Sequence, residues 1–120
     1  MSTNKFKENT TFEKRCEYSA AIKKNYPTMV PIILYTSSTD KTVKLTRSKY
    51  LAPQDISFSK FAANVRAYTN INETQSMFLF VNNKIPGHDT LLGEIYNRHK
   101  SDDGFLYITV SIENSFGGWI

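Results

Sequence analysis

Cysteine is almost absent from this chain. Cys16 is the only one in 120 residues, which excludes an internal disulfide framework and fits a reducing compartment. His88 and His99 share no ligand spacing with Cys16 or with a carboxylate cluster, so neither a metal nor a cofactor is expected. A cysteine nucleophile would need a histidine and an orienting group beside it, yet Cys16 falls on the apolar stripe of a candidate helix, where a core thiol belongs. Glycine is sparse as well. The five glycines, at 87, 93, 104, 117 and 118, are scattered or terminal and form no phosphate-cradling loop or dinucleotide fingerprint. Long hydrophobic runs are also missing: residues 30–35 and 77–81 are far too short to cross a bilayer, and residues 1–8 carry no apolar signal segment. These absences point to a soluble, cytosolic protein, one domain long, with enough chain to bury a core unaided and no constellation that would make it an enzyme.

Positive charge is plentiful but uneven. Residues 1–50 hold ten Lys and Arg against four acids, and the remainder holds five against seven, for a net +4. A basic N-terminal half suits an acidic partner or simply a solvated face. Aromatics make up 13% of the chain but fall at core periodicities rather than interleaving with basic residues, so nucleic acid is not an expected partner. Asp102-Asp103 reads as solvent-exposed turn chemistry rather than a catalytic pair.

Along the chain, residues 4–8 suggest a short helix, and residues 11–26 a longer one, capped at Thr10 or Thr11 and ended by Pro27. Its stripe is read as Phe12, Cys16, Ala20, Ile22 and Tyr26. Residues 30–35 form an apolar strand, and residues 36–40 have loop composition. Residues 49–53 form a second strand, where Pro53 and the flanking lysine fit a sheet edge. Ser57 caps a helix with Phe58, Phe61, Ala62, Val65 and Tyr68 on one side. Residues 77–81 are a third strand, followed by a turn at Asn82-Asn83. Asp89 or Thr90 opens a last helix carrying Leu91, Leu92, Ile95, Tyr96 and His99. In residues 105–112, Leu106, Ile108, Val110 and Ile112 alternate onto one face while Phe105 and Tyr107 load the other, the pattern of a strand in mid-sheet. The helix at 11–26 is the expected cover for Phe105 and Tyr107. The element order predicts an α+β fold of the β-grasp, ubiquitin-like type with an N-terminal helical extension. Residues 1–27 are assigned to that extension, 28–116 to the core and 117–120 to a flexible tail, whose paired glycines would let an extended backbone pass through a narrow enzyme channel.

The motifs Phe12-Glu13-Lys14-Arg15, Tyr26-Pro27-x-x-Val30-Pro31-Ile32-Ile33, Lys49-Tyr50-Leu51-x-Pro53, Phe80-Val81-Asn82-Asn83-Lys84-Ile85-Pro86, Asp103-Gly104-Phe105-Leu106-Tyr107 and Phe116-Gly117 occur in order with matching intervals. Together they resemble the autophagy ubiquitin-like modifiers, the family of the GABA-receptor-associated protein and the microtubule-associated protein light chain. The resemblance implies cleavage after Gly117 by a processing cysteine protease, with Gly118 the alternative. It further implies transfer by activating and conjugating enzymes to phosphatidylethanolamine, which moves a cytoplasmic monomer onto autophagosomal membranes. It also implies recruitment of receptors bearing aromatic-x-x-aliphatic peptides. One pocket for such peptides would be lined by Tyr18, Ile22, Pro31, Ile33, Lys49, Leu51 and Phe105. A second would use Tyr50, Ala52, Pro53, Ile56, Phe61 and Val65, with Arg47 and Lys49 attracting the acids ahead of the aromatic. Met29, Asn64 and Tyr18 stand where the family commonly carries a basic residue, an aliphatic and an acid. The alternative reading is a peptide-binding adaptor of the same fold that is never conjugated.

Overall fold

The strand that is apolar on both faces takes the interior position that such a strand requires. In the computed structural model, which describes residues 5–36, 47–69 and 71–114, the elements run α1 (Lys5–Asn9), α2 (Phe12–Asn25), β1 (Met29–Thr36), β2 (Lys49–Pro53), α3 (Phe58–Ala67), β3 (Gln75–Phe80), α4 (Leu92–His99) and β4 (Leu106–Asn114). The sheet has the order β2-β1-β4-β3. Its two central strands, β1 and β4, are parallel, and each outer strand is antiparallel to its neighbour. This is the ubiquitin-like α+β fold with N-terminal helices.

One face of the sheet carries the core. Val30, Ile32 and Leu34 of β1 and Leu106, Ile108 and Val110 of β4 are buried against Phe58, Phe61 and Val65 of α3 and Leu92, Ile95 and Tyr96 of α4. Ser57 caps α3, its hydroxyl accepting the Lys60 N–H at 3.2 Å. Asn82 and Asn83 both take positive φ between the bridged Val81 and Lys84, a conformation that asparagine tolerates better than most residues.

The opposite face is covered by α1 and α2, and here the side chains depart from the expected stripe. Phe12 and Tyr26 are 50% and 53% exposed, Ala20 is exposed, and Cys16 is only half-buried rather than a core thiol. The one buried residue of α2 is Ser19. The face is chosen by polar chemistry: Arg15 and Ser19 lie at i and i+4 on one side of the helix, and both bond to the turn that precedes β4. That turn holds a second difference, since Asp103 is not solvent-exposed but 2% accessible, whereas Asp102 is exposed. Two helix ends also differ. Tyr68 and Leu91 point outward, and α4 begins at an N-cap Leu91 that makes no side-chain cap bond, rather than at Asp89 or Thr90. Of the loop expected at 36–40, Thr36 instead ends β1 in register with Val110, and residues 37–40, like the tail containing Gly117 and Gly118, lie outside the described residues.

Candidate functional site

Strand β2 forms one edge of the sheet, and its register decides which backbone groups are open. Leu34 N–H donates to Ser48 O at 2.7 Å and Gln54 N–H donates to Thr28 O at 3.0 Å. In an antiparallel pair the bonded residues alternate, so Ser48, Tyr50, Ala52 and Gln54 turn their backbone groups toward β1. Lys49 and Leu51 therefore direct theirs outward, while Pro53 has no N–H to offer. Side chains alternate too. Tyr50 and Ala52 face the core, and Lys49 and Leu51 face α1 and α2.

Beside this edge lies a groove of about 810 Å³. Ile32 and Ile33 from β1 and Leu51 from β2 line it on the sheet side, with Tyr18 and Ile22 from α2 opposite. Phe105 and Phe6 of α1 complete the apolar lining, their rings packed edge-on with centroids 5.2 Å apart. The charged members of the lining are Lys5, Arg47 and Lys49, and no carboxylate lines it among the described residues. Lys49 Nζ sits 5.5 Å from the centre of the Phe6 ring. Arg47 lies 5.3 Å from the rings of both Tyr50 and Tyr68. Burial raises the pKa of the Tyr50 hydroxyl, with Arg47 opposing the shift. An apolar trough rimmed by cations beside open edge-strand backbone is suited to an extended, acidic peptide with a large apolar side chain.

Of the first set of residues singled out in the sequence, Tyr18, Ile22, Ile33, Lys49, Leu51 and Phe105 are brought together around the groove. Pro31 is not among its lining; it is fully buried in β1, opposite Leu51. Of the second set, Ala52, Phe61 and Val65 are buried in the core, Tyr50 and Ile56 pack against it, and Pro53 is exposed. A side chain entering there would have to part the rings of Tyr50 and Phe61, which meet edge to face at 5.7 Å.

Sequence reasoning missed the contribution of α1 and the cluster that holds the Phe105 wall. Asp103 Oδ1 accepts the Phe105 N–H at 3.0 Å. Its Oδ2 accepts Arg15 Nε at 2.9 Å and the Tyr107 hydroxyl, and its backbone carbonyl accepts Ser19 Oγ at 2.5 Å. Arg15 Nη1 reaches back to Thr10 O at 2.8 Å, so one guanidinium ties the α1–α2 junction to the turn before β4. Burial, followed by the hydrogen bond to Asp103, pushes the Tyr107 hydroxyl pKa far above its ordinary value, because a phenolate there would face a carboxylate. Gly104 has φ of +91°, and a Cβ there would meet Ser19 Oγ at 2.3 Å, so only glycine fits this approach of turn to helix. The i to i+2 spacing of Asp103 and Phe105 was a readable turn signal. The pairing of Arg15 with Asp103, 88 residues apart, had no local signal.

Among the described residues no cluster of His, Cys, Asp and Glu could hold a metal ion, and no helix is long and apolar enough to cross a membrane. A family profile described as "Autophagy protein Atg8 ubiquitin like" matches residues 14–117. The chain is similar to Autophagy-related protein 8 of Dictyostelium discoideum, with 37% identity over 118 residues, 98% of this chain and 97% of that protein. Autophagy-related protein 8b of Arabidopsis thaliana is 36% identical over 118 residues with the same coverage, 98% and 97%. Trypanosoma brucei ATG8 superposes with a TM-score of 0.84 at 29% identity, over 96% of this chain and 99% of that one. Plasmodium falciparum Atg8, solved in complex with a peptide of Plasmodium falciparum Atg3, has a TM-score of 0.83 at 23% identity, over 91% and 96%.

Proposed function

Because the chain belongs to the Atg8 family of autophagy ubiquitin-like proteins, we propose that it works as a modifier that is cut after Gly117, joined through that glycine to phosphatidylethanolamine, and used on autophagosomal membranes to hold receptor peptides. Its chemistry is then performed on it rather than by it. A cysteine protease exposes the Gly117 carboxyl group. An activating enzyme makes it an acyl donor, and a conjugating enzyme passes the acyl group to the lipid amine. The chain starts in the cytoplasm and acquires its membrane anchor through this bond.

The observation that carries the recognition half of the proposal is the groove beside the outward-facing backbone of Lys49 and Leu51. An extended peptide aligned along β2 satisfies those backbone groups and places alternate side chains on the groove side. Its aromatic residue enters between Ile33, Leu51 and Phe105, and acids ahead of it approach Arg47 and Lys49. That the Plasmodium falciparum relative was solved with a peptide of Plasmodium falciparum Atg3 supports peptide binding as a property of this fold.

Two measurements test the proposal. Mass spectrometry after exposure to the family's protease should show loss of residues 118–120, and Gly117→Ala should block both this cut and lipid attachment, since a methyl group obstructs the channel. A chain that is never shortened but still binds peptide would be an adaptor instead. Titration with an acidic aromatic-x-x-aliphatic peptide should show saturable binding that Leu51→Asp abolishes, and equal binding by that variant would refute the groove.

A further inference from the structure

Phe6 is held by two groups that the proposed function assigns to a partner peptide, Phe105 to its aromatic residue and Lys49 to the acids ahead of it. Its ring meets Phe105 edge to face at 5.2 Å, and Lys49 Nζ stands 5.5 Å from its centre. With that ring in place, Phe105 is only 4% exposed. A partner's aromatic side chain seeking that wall, and its acids seeking that cation, find both engaged.

The element that delivers Phe6 is weakly anchored. Helix α1 has five residues, none of them fully buried, far short of the length at which an isolated helix persists in water. The contacts that position it among the described residues include three kinds. Lys7 Nζ lies 4.3 Å from the centre of the Tyr107 ring, the Thr10 hydroxyl bonds Phe6 O, and Arg15 Nη1 bonds Thr10 O and, at 3.4 Å, Lys7 O. Arg15 is itself clamped to the buried Asp103. The α1–α2 junction is thus firmly seated, while the helix ahead of it is kept down mainly by Phe6 and Lys7. This is the construction of a hinged strap.

We infer that α1 is an internal competitor, with Phe6 occupying the aromatic end of the groove and leaving it when a partner peptide binds. The inference rests on the reading of the groove as a peptide site. Aromatic pairs and exposed cation–π contacts are each modest, so they bias the strap without locking it. If the strap is down in roughly nine molecules of ten, the apparent affinity of the partner is reduced about tenfold relative to a chain whose groove is always free. The penalty falls on association, because the partner waits for an open groove.

The test uses the full chain and a fluorescein-labelled peptide of three Asp followed by Trp, two Ala and Leu. Phe6→Ala should bind this peptide about tenfold tighter than the parent, chiefly through faster association. Phe6→Trp, which enlarges the ring gripped by Phe105 and Lys49, should bind it more weakly than the parent. Saturating peptide should speed amide exchange of residues 5–9 in the parent while leaving α2 protected. Melting curves establish that both variants retain the core, and Phe6→Trp keeps the test alive if the alanine variant does not fold. Weaker binding by Phe6→Ala would make Phe6 a wall of the site and overturn the inference, and so would unchanged binding. Failure of all three chains to bind would overturn the peptide-groove reading itself, whereas binding in the wrong order would overturn only the strap.

Discussion

Replacing Asp103 by Asn isolates the cluster that joins the N-terminal helices to the sheet. The carboxylate is 2% exposed and accepts from the Phe105 N–H, Arg15 Nε and the Tyr107 hydroxyl. Asparagine keeps one acceptor oxygen, which can still serve Phe105 or Tyr107. It loses the negative charge and can turn an NH2 group toward the Arg15 guanidinium, donor against donor. Removing one member of a buried pair typically costs about 3–5 kcal/mol. Arg15 keeps its bond to Thr10 O and is 12% exposed at the side chain, so the lower end, about 3 kcal/mol, is expected. With the usual unfolding entropy per residue, a chain of 120 residues loses about 4 °C of Tm per kcal/mol, giving a fall of about 12 °C. The neighbouring Asp102 is exposed, and Asp102→Asn should stay within about 2 °C of the parent. Thermal melts followed by circular dichroism compare the two directly. Arg15→Met should cost a similar amount to Asp103→Asn, and the double variant should cost less than the two combined, because each single change strands the other member of the same pair. Equal melting of the Asp102 and Asp103 variants would show that the cluster does not hold the helices to the sheet.

Gly104→Ala should destabilise by about 2–3 kcal/mol, because the residue takes φ of +91° and its new Cβ would stand 2.3 Å from Ser19 Oγ; a melt within about 2 °C of the parent would contradict that packing. The Tyr107 hydroxyl has a raised pKa when folded, so the unfolded chain releases that proton first, and stability should be level below about pH 10 and decline above it. Tyr107→Phe should flatten this alkaline decline, as measured by urea midpoints across pH 9–11; an unchanged slope would assign it to Tyr50 and Tyr96, whose pKa values burial also raises. In peptide titrations, Leu51→Ala should cost more than about 1 kcal/mol, as an apolar wall does, and Arg47→Ala less, as an exposed rim charge does. The reverse order would make charge rather than shape the basis of recognition.

Much of the architecture was legible along the chain because it is written in local periodicity. The alternation of Leu106, Ile108 and Val110 with Phe105 and Tyr107 marked a strand buried on both sides, and β4 does lie between β1 and β3. The Thr11 and Ser57 caps, the edge position of residues 49–53 and the order of elements follow from equally short-range chemistry. The family resemblance was readable for a related reason: ordered motifs at matching intervals need no coordinates.

Long-range pairing was not legible. A helical stripe drawn through Phe12, Ala20 and Tyr26 predicted the wrong buried face, because hydrophobicity was the only guide available and the true face is selected by Arg15 and Ser19 meeting Asp103 across the fold. Asp103 itself looked like a surface turn residue, since nothing in its neighbours announces a guanidinium and a phenol arriving from elsewhere. The groove divides in the same way. The sequence by itself determined that residues 49–51 form an edge strand and that Phe105 leads into an interior one. Only the tertiary structure decided that Phe6, from a helix too short to hold itself, would rest on Phe105 beneath Lys49, because that contact depends on how the two N-terminal helices are pinned over the sheet.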